Sequence, residues 1–493
     1  MNILLVMCDQ LCASALEIYG GNADVPNIKK LAENGMVFEA AYCQTPVCSP
    51  SRASLITGKY PHRHGLVGNV MRLDYPVCGG PESEEGINNR DITTEGLLHL
   101  NGYETIHAGK WHMSGEDLTC YGSMYREHQE YGNEMKETFK RTEAESDREK
   151  YMDWYGWKLP VTVSKDYKNC LPLIPPRWNQ NPVLMDFIQK MGRLDIPLED
   201  VYDCRIGSKC ENAIKNAKEP FMLTCSFNMP HDPNAVPSHY YESVDIPRIN
   251  ADASLPCHEE YLNDLSKDIP MHAGNAFLTE FLRIYYAMVK LVDDQIGRLF
   301  DALSERGILE NTCIIFTADH GDMAGGHGMF WKSTSAFYDE VARVPLIISA
   351  PGYSKGSYFK PVELVDIMPT ILELCGQAAP ETDGVSLVPA LNGGESRKVN
   401  ALSERLDFGY EKKRHAHVQD ENENFMLRGE RYKYILHRNK NRQVQLLFDM
   451  EKDPNEHINL YGLPEYDLIA GRLRESLRAR LAKSGYELAP VKN

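Results

Sequence analysis

Short apolar runs alternate along the chain with segments of helical periodicity. Four runs rich in β-branched residues predict buried strands at residues 3–7, 221–227, 312–317 and 345–349. Before the third run, apolar residues recur every three or four positions and predict a long amphipathic helix: Ile284, Met288, Leu291, Val292, Ile296, Leu299 and Leu303. This alternation predicts an α/β fold, in which a large, mainly parallel sheet is sandwiched by helices.

The pattern changes near residue 395. A stretch rich in glycine, at residues 392–396, predicts a linker. Beyond it lie strand-like runs at 424–427, 432–436 and 444–448, and a last helix with one apolar face: Ile469, Leu473, Leu477 and Leu481. We therefore predict a large α/β domain over residues 1–395, followed by a smaller C-terminal domain of antiparallel sheet plus helix over 396–493.

Residues 120–200 interrupt the rhythm of the large domain. They are rich in charged and aromatic side chains, and they predict an insertion. A surface excursion is the commoner reading of such a segment. The functional alternatives are a wall of a substrate pocket and a contact in a homo-oligomer.

Charge and cysteine usage narrow the class of protein. The 493 residues carry 53 basic and 70 acidic side chains, a net charge of −17, which argues against nucleic acid or an anionic membrane as partner. No run approaches the ~18 apolar residues of a membrane span. The 13 cysteines lack paired or zinc-like spacing, and residues 2–7 are too short for a signal sequence, so we expect a cytoplasmic protein. A chain whose leader had been removed would look similar.

Cys48-Ser49-Pro50-Ser51-Arg52 is the most informative motif in the chain. Ser49 suits a helix N-cap, Pro50 the first helical position and Gly58 the helix end. Cys48 is then expected just outside a helix N-terminus, where free N–H groups and the helix dipole favour anions. Arg52, one turn later, can point at the same spot. The alternative is a chance pentapeptide around an ordinary buried thiol.

Acidic residues follow two of the predicted strands. Asp9 and Gln10 come after the first strand, and Asp319 and His320 come after the third. The carboxyl ends of parallel strands lie at one edge of a sheet, so these residues can converge on one cation. Carboxylate and amide oxygens suit calcium, magnesium or manganese, whereas an imidazole favours manganese or another transition metal. Each pair taken alone could equally form an ordinary turn.

Four further residues are candidate anion or proton-transfer groups. Lys110 and His112 are two apart, so in an extended chain they would point the same way. His231 lies between Pro230 and Pro233 at a strand end, where it could protonate a leaving group. Lys332 is a second candidate cation. Solvated or structural roles are the commoner reading of each residue alone.

The order of these motifs resembles the type I sulfatases of the alkaline phosphatase superfamily. A strand-end Asp is followed by Cys-x-Pro-x-Arg, Gly-Lys-x-His, Pro-His, Asp-His-Gly and Lys. The resemblance covers nearly the whole chain and includes Asp294-Gln295-Ile296-Gly297 and Asp366-Ile367-Met368-Pro369-Thr370. It implies hydrolysis of a small anionic sulfate ester and oxidation of Cys48 to formylglycine by a maturase. In the mechanism that the resemblance implies, one hydroxyl of the hydrated aldehyde would attack sulfur with loss of the alcohol, and the other would expel sulfate and regenerate the aldehyde.

The resemblance also implies a role for each candidate. Arg52 would steady the formylglycine oxygens, and His112 would contact the hydrate. Lys110 and Lys332 would hold sulfate oxygens, whereas His231 would bind substrate or protonate the departing oxygen. The implied ligands of one divalent cation, most commonly calcium in this family, are Asp9, Gln10, Asp319 and His320.

Two positions depart from the commonest family pattern. Many sulfatases carry Asp where Gln10 stands and Asn where His320 stands. The pattern here is closer to the choline sulfatase and phosphonate monoester hydrolase branch, so those enzymes and a phosphodiesterase remain alternatives to our preferred sulfated carbohydrate hydrolase. A non-catalytic relative is a further alternative.

Overall fold

The fold of the chain was taken from a computed structural model. It describes residues 1–70, 92–113, 123–126, 151–154, 157–162, 191–245, 268–332, 336–407, 422–439 and 442–488. The strands are β1 (Asn2–Asp9), β2 (Met36–Phe38), β3 (Ala41–Tyr42), β4 (Glu104–Gly109), β5 (Ser123–Arg126), β6 (Tyr151–Trp154), β7 (Trp157–Thr162), β8 (Gly192–Leu194), β9 (Phe221–Pro230), β10 (Ala235–Pro237), β11 (Thr312–Ala318), β12 (Arg343–Val344), β13 (Leu346–Ser349), β14 (Gly356–Tyr358), β15 (Val362–Glu363), β16 (Ala401–Asp407), β17 (Asn422–Arg428), β18 (Tyr432–Asn439) and β19 (Gln443–Asp449).

The α-helices cover the sheets and connect the strands. They are α1 (Pro26–Glu33), α2 (Cys48–Thr57), α3 (Pro61–His64), α4 (Thr94–Leu100), α5 (Tyr202–Asn216), α6 (Ser238–Ser243), α7 (Asp268–Glu305), α8 (Asp339–Ala342), α9 (Ile367–Leu374), α10 (Val388–Leu391) and α11 (Asp467–Lys483).

The central sheet has eight strands in the order β14-β2-β13-β11-β1-β9-β4-β5. The strands β11, β1, β9, β4 and β5 run parallel, and β13 is antiparallel to both of its neighbours. Every residue of β1, β9 and β11 is buried, as expected for strands covered on both faces. One group of helices, α1, α5 and α7, packs together against this sheet, and a second group is formed by α2, α4 and α9. The predicted α/β fold is therefore confirmed.

The C-terminal part is a four-stranded antiparallel sheet, β16-β17-β18-β19, with α11 packed on it. Alternate side chains enter two different cores: Phe425 and Leu427 pack with Leu477 and Leu481 of α11, whereas Met426 packs against the large α/β region. A sheet buried on both faces explains its continuous apolar runs. The boundary at residue 395 stays a prediction, because both of these cores contain residues from both sides of it.

The insertion contributes strands to two sheets. In the described residues, β5 extends the edge of the central sheet beside β4, while β6, β7 and β8 join β10 in a separate four-stranded sheet. The predicted pocket wall or oligomer contact falls largely outside the described residues.

The cysteines and the helices bear on the expected cell compartment and on the expected absence of a membrane span. In the part of the chain that the structure describes, nine cysteines are free thiols, and no helix combines the length and apolar character needed to cross a bilayer. The expected cytoplasmic localisation stays a prediction.

Candidate active site

The carboxyl ends of β1 and β11 bring four buried side chains together. The two strands are neighbours, with Cys8 paired to Ala318, so Asp9 and Asp319 emerge side by side. One ligand atom from each of Asp9, Cys48, Asp319 and His320 lies within 4.8 Å of the others. The Cys48 Sγ is 3.2 Å from His320 Nε2 and 3.7 Å from Asp9 Oδ1. The two strand ends therefore lie side by side, and Cys48 lies against them; the cation on which they were expected to converge stays a prediction.

Helix α2 begins at Cys48, earlier than the motif predicted. Ser49 does not cap it, because the Ser49 hydroxyl accepts a hydrogen bond from the Val70 N–H at 3.0 Å. Asn69 Oδ1 instead accepts from the Ser49 N–H at 3.1 Å and satisfies one free donor of the first turn. Gly58 ends the helix with a φ of 65°, as predicted. Cys48 thus lies in the first turn of the helix rather than outside it.

The Arg52 guanidinium is wholly buried and holds the two carboxylates in place. Its Nε donates to Asp319 Oδ2 at 2.7 Å, and its Nη2 lies 3.5 Å from Asp9 Oδ2. Its Nη1 donates to the Ser226 hydroxyl and to the Lys110 carbonyl, both at 2.8 Å. These contacts fix β1, β4, β9 and β11 around one cation, so Arg52 supports the site whatever it contacts in the reaction.

Lys110 and His112 both reach Cys48, but not through strand alternation. The Lys110 Nζ forms an ion pair with Asp9 and lies 3.9 Å from Cys48 Sγ. His112 lies close enough to Cys48 to help lower the pKa of its thiol, and the His112 Nε2 is 2.9 Å from the Val70 carbonyl. The segment is not extended throughout, since Gly109, just before Lys110, has a φ of 99° and His112 itself a φ of 54°. The expectation of an extended segment was therefore wrong, although both side chains arrive at the predicted place.

His231 and Lys332 form one hydrogen-bonded pair. The Lys332 Nζ lies 2.8 Å from His231 Nε2, and an ammonium group can only donate. The proton of the imidazole is then on Nδ1, which lies 2.7 Å from the Asp232 carbonyl and 3.2 Å from the Asp232 carboxylate. Lys332 and Asp232 thus hold the imidazole of His231 in one orientation from both sides.

Gln10 has one amide atom bonded and one without a partner. Its Nε2 donates to Asp322 Oδ2 at 2.5 Å, whereas its buried Oε1 has no hydrogen-bond partner in the described residues. An orphaned amide oxygen fits a ligand of a divalent cation, since Gln10 follows Asp9 directly and its main-chain N–H donates to Asp319. Asp322 was not predicted as a site residue. The available signal was its position two residues after His320, in the same strand-end turn.

Neighbouring charges control the ionisation of the site. Burial opposes ionisation of the Cys48 thiol, but Lys110, Lys332 and His320 outweigh it and lower the pKa well below its usual value. Burial would likewise raise the pKa of Asp9, as would Cys48, yet the positive charges of Lys110 and Arg52 lower it below the usual range. Burial disfavours protonated His320, but Asp319 and Cys48 raise its pKa to about 9. The site is therefore built to hold anions at position 48 against fixed cations.

Comparisons with known proteins agree with this geometry. The family model described as Sulfatase matches residues 1–377, and the model for the C-terminal region of N-sulphoglucosamine sulphohydrolase matches residues 325–483. An arylsulfatase of Clostridium perfringens (strain 13 / Type A) is 29% identical over 97% of this chain and 93% of its own length. A choline-sulfatase of Rhizobium meliloti (strain 1021) is 28% identical, covering 94% of this chain and 83% of the relative.

Two further comparisons extend the range of chemistry. A Δ4,5-hexuronate-2-O-sulfatase of Bacteroides thetaiotaomicron is 27% identical over 98% of this chain and 89% of its own. The solved phosphonate monoester hydrolase of Agrobacterium radiobacter shares the fold, with a TM-score of 0.74 at 22% identity over 98% of this chain and 96% of that one. The match of the Sulfatase model to most of the chain shows the family: this chain belongs to the type I sulfatases of the alkaline phosphatase superfamily and is a sulfuric ester hydrolase.

Proposed function

We propose that the protein hydrolyses the sulfate ester of a small sulfated carbohydrate, using formylglycine made from Cys48 and one divalent cation. The observation that carries the proposal is the position of Cys48 Sγ, within 4 Å of Asp9, His320 and Lys110. A nucleophile there meets carboxylates that can hold a cation and an ammonium group that can hold an anion.

The proposed cation ligands are Asp9, Gln10, Asp319 and His320. When bound, a divalent cation would lower the pKa of a hydroxyl at position 48 and offset charge on the sulfate. The donor set of two carboxylates, an amide oxygen and an imidazole suits calcium, the family's usual ion, and also manganese.

Side chains of the protein would position the cation ligands, bind the sulfate and transfer the proton. Arg52 keeps Asp9 and Asp319 at a fixed separation, and Lys110 and Lys332 supply positive charge for the sulfate oxygens. His112 would hydrogen-bond to the oxygens at position 48. The His231–Lys332 pair would deliver a proton to the departing alkoxide: the proton would leave the Lys332 ammonium, pass to His231 Nε2 along their 2.8 Å contact and then to the alkoxide, and Lys332 would be left as a neutral amine.

The carbohydrate class rests on relatives rather than on the pocket. One relative acts, by its name, on hexuronate 2-O-sulfate, and a solved neighbour covering 98% of this chain was captured with D-glucosamine-2-N,6-O-disulfate. The choline-sulfatase relative and the phosphonate monoester hydrolase neighbours keep choline sulfate and phosphonate esters as alternative substrates.

The test is sulfate release by protein co-expressed with a maturase. Peptide mass spectrometry should show a hydrazide-reactive aldehyde at position 48, and Cys48→Ala should abolish sulfate release. Cys375→Ala, which removes a free thiol elsewhere, is the matched control and should keep activity. Full activity with an intact Cys48 thiol would refute the formylglycine mechanism.

A paired assay separates the alternatives. We expect sulfated mono- and disaccharides to be turned over with a higher kcat/KM than choline sulfate or phenyl phosphonate. A preference for the phosphonate would make the protein a phosphonate monoester hydrolase with this machinery, and a preference for choline sulfate would replace the carbohydrate by a quaternary amine.

A further inference from the structure

Hydrogen bonds hold the main chain of Gln10 on both sides of the residue. Its main-chain N–H donates to Asp319 Oδ1 at 3.0 Å, and its carbonyl accepts from the Tyr285 hydroxyl at 2.7 Å. Its φ of 64° lies in the left-handed region, which the surrounding contacts must hold. The backbone therefore cannot decide which end of the amide faces the cation ligands, since the two ends of an amide have nearly the same shape.

Asp322 is the group that distinguishes those two ends. The side chain is 1% exposed, and its Oδ1 accepts from the Ala324 N–H at 2.7 Å. That bond anchors the carboxylate and leaves Oδ2 facing Gln10 Nε2 at 2.5 Å. A flipped amide would put the Gln10 carbonyl oxygen against the Asp322 carboxylate. The NH₂ group would then take the position of Oε1, and it has no free lone pair for a metal.

We propose that Asp322 is a positioning residue, whose carboxylate orients the Gln10 amide so that Oε1 is presented as a cation ligand. This inference rests on the proposed function, since it requires the cation. It accounts for the orphaned Oε1 and for the pairing of a glutamine at position 10 with an acidic residue at position 322. Partners that orient metal ligands are typically worth about 10–100-fold in metal affinity.

The test measures divalent-cation affinity by calorimetry on the full chain, with the metal-free melting temperature as a control for folding. In Asp322→Asn, the amide oxygen keeps the Ala324 N–H, so the new NH₂ group faces Gln10 Nε2. Gln10 should flip, and cation affinity should fall about 10–100-fold. Asp232→Asn makes the same change of charge beside His231, and its cation affinity should stay close to wild type.

A compensating variant distinguishes orientation from loss of structure. In Gln10→Glu with Asp322→Asn, one carboxylate oxygen of residue 10 accepts from the new NH₂ group, and the other faces the cation. Affinity should return to at least the wild-type value. A merely structural role predicts that the double variant binds no better than Asp322→Asn.

Each outcome has one consequence. Wild-type affinity in Asp322→Asn, or no rescue in the double variant, overturns the inference and leaves the proposed function standing. A wild-type protein that binds no divalent cation overturns the cation site of the proposed function and this inference with it. If Asp322→Asn does not fold, the double variant is compared with Gln10→Glu alone, and it must bind the cation more tightly, because Gln10→Glu sets a carboxylate against Asp322.

Discussion

Two of the dense clusters of buried charge in the described residues differ in how completely their atoms are paired. The first surrounds Cys48. The second, which we name the interdomain cluster, consists of Tyr60, Glu363, Asp366, Lys398 and Arg480, and it lies where the C-terminal sheet meets the α/β region.

The interdomain cluster is closed. Glu363 accepts from the Tyr60 hydroxyl at 2.9 Å, the Leu402 N–H at 2.8 Å and Arg480 Nη2 at 2.8 Å, and it forms an ion pair with Lys398. Asp366 forms a second ion pair with Lys398 and accepts from the N–H groups of Glu363 and Val385. Two carboxylates therefore meet two cations, and no acceptor is left for a ligand.

The Cys48 cluster is open by comparison. Three fixed cations, Arg52, Lys110 and Lys332, lie around two carboxylates, and the Gln10 Oε1 lacks a hydrogen-bond partner in the described residues. Lys110 and Lys332 nevertheless place positive charge beside position 48, in a chain whose net charge is −17. A fully paired buried network joins parts of a fold, whereas a network with an unpaired acceptor and with cations beside a candidate nucleophile is what a metal ion and an anionic substrate would complete.

The largest expected effect is the loss of the bound cation and of activity, which we expect in the Cys48 cluster and not in the interdomain cluster. Asp319→Asn should remove the bound divalent cation and slow sulfate release by about 10³-fold or more, since a metal contributes several kcal/mol to the transition state. Elemental analysis and a sulfate assay measure the two losses. Asp366→Asn, the matched change in the interdomain cluster, should lower stability and keep the cation. Cation loss in both variants would mean that the clusters are not separate.

The next largest effect falls on stability alone. Lys398→Met leaves Glu363 and Asp366 buried with one cation fewer, and such a loss costs about 3–5 kcal/mol of unfolding free energy. Denaturant unfolding measures it, and sulfate release per folded molecule should change little. Lys360→Met removes an exposed pair with Glu395 and should leave the unfolding free energy nearly unchanged. Equal losses in both variants would contradict the description of a buried network.

The sequence predicted residues of the Cys48 cluster far better than residues of the interdomain cluster. Asp9, Asp319 and Cys48 could be placed because strand ends and helix starts have local signatures, and parallel topology then brings them together. The partnership of Gln10 with Asp322 spans 312 positions and leaves no local periodicity. Strand β16 was missed because its buried Glu404 and Arg405 break the apolar pattern, and their burial depends on partners elsewhere in the chain.

A smaller and substrate-dependent effect concerns the His231–Lys332 pair. His231→Ala should slow hydrolysis of a sugar sulfate about 10²–10⁴-fold, and that of nitrophenyl sulfate much less, because nitrophenolate leaves without a proton. Lys332→Ala should slow both. Since Lys332 bonds to His231, the double variant should lose less than the product of the single losses. Lys355→Ala, at an exposed lysine, is the control. Equal losses of His231→Ala on both substrates would leave His231 as an anion ligand only.

The smallest effect is a pH dependence of stability at His62, whose ring stacks on Tyr60 of the interdomain cluster. His62 Nδ1 lies 2.8 Å from Glu404 Oε2, and His62 Nε2 lies 3.2 Å from the Ser484 carbonyl. Burial disfavours the imidazolium, but the hydrogen bond and charge of Glu404 outweigh burial and raise the pKa of His62 above 6.5.

A histidine whose pKa is higher in the folded chain than in the unfolded chain stabilises the fold when it is protonated. That contribution is complete below about pH 6.5, the unfolded value, and is lost as the pH rises through the folded value. The unfolding free energy of the wild type should therefore decline over this window more steeply than that of His62→Gln, whereas His99→Gln, at an exposed histidine, should follow the wild type. Parallel pH profiles for wild type and His62→Gln would show that His62 takes up or releases no proton on unfolding. Its charge would then contribute nothing to the unfolding free energy.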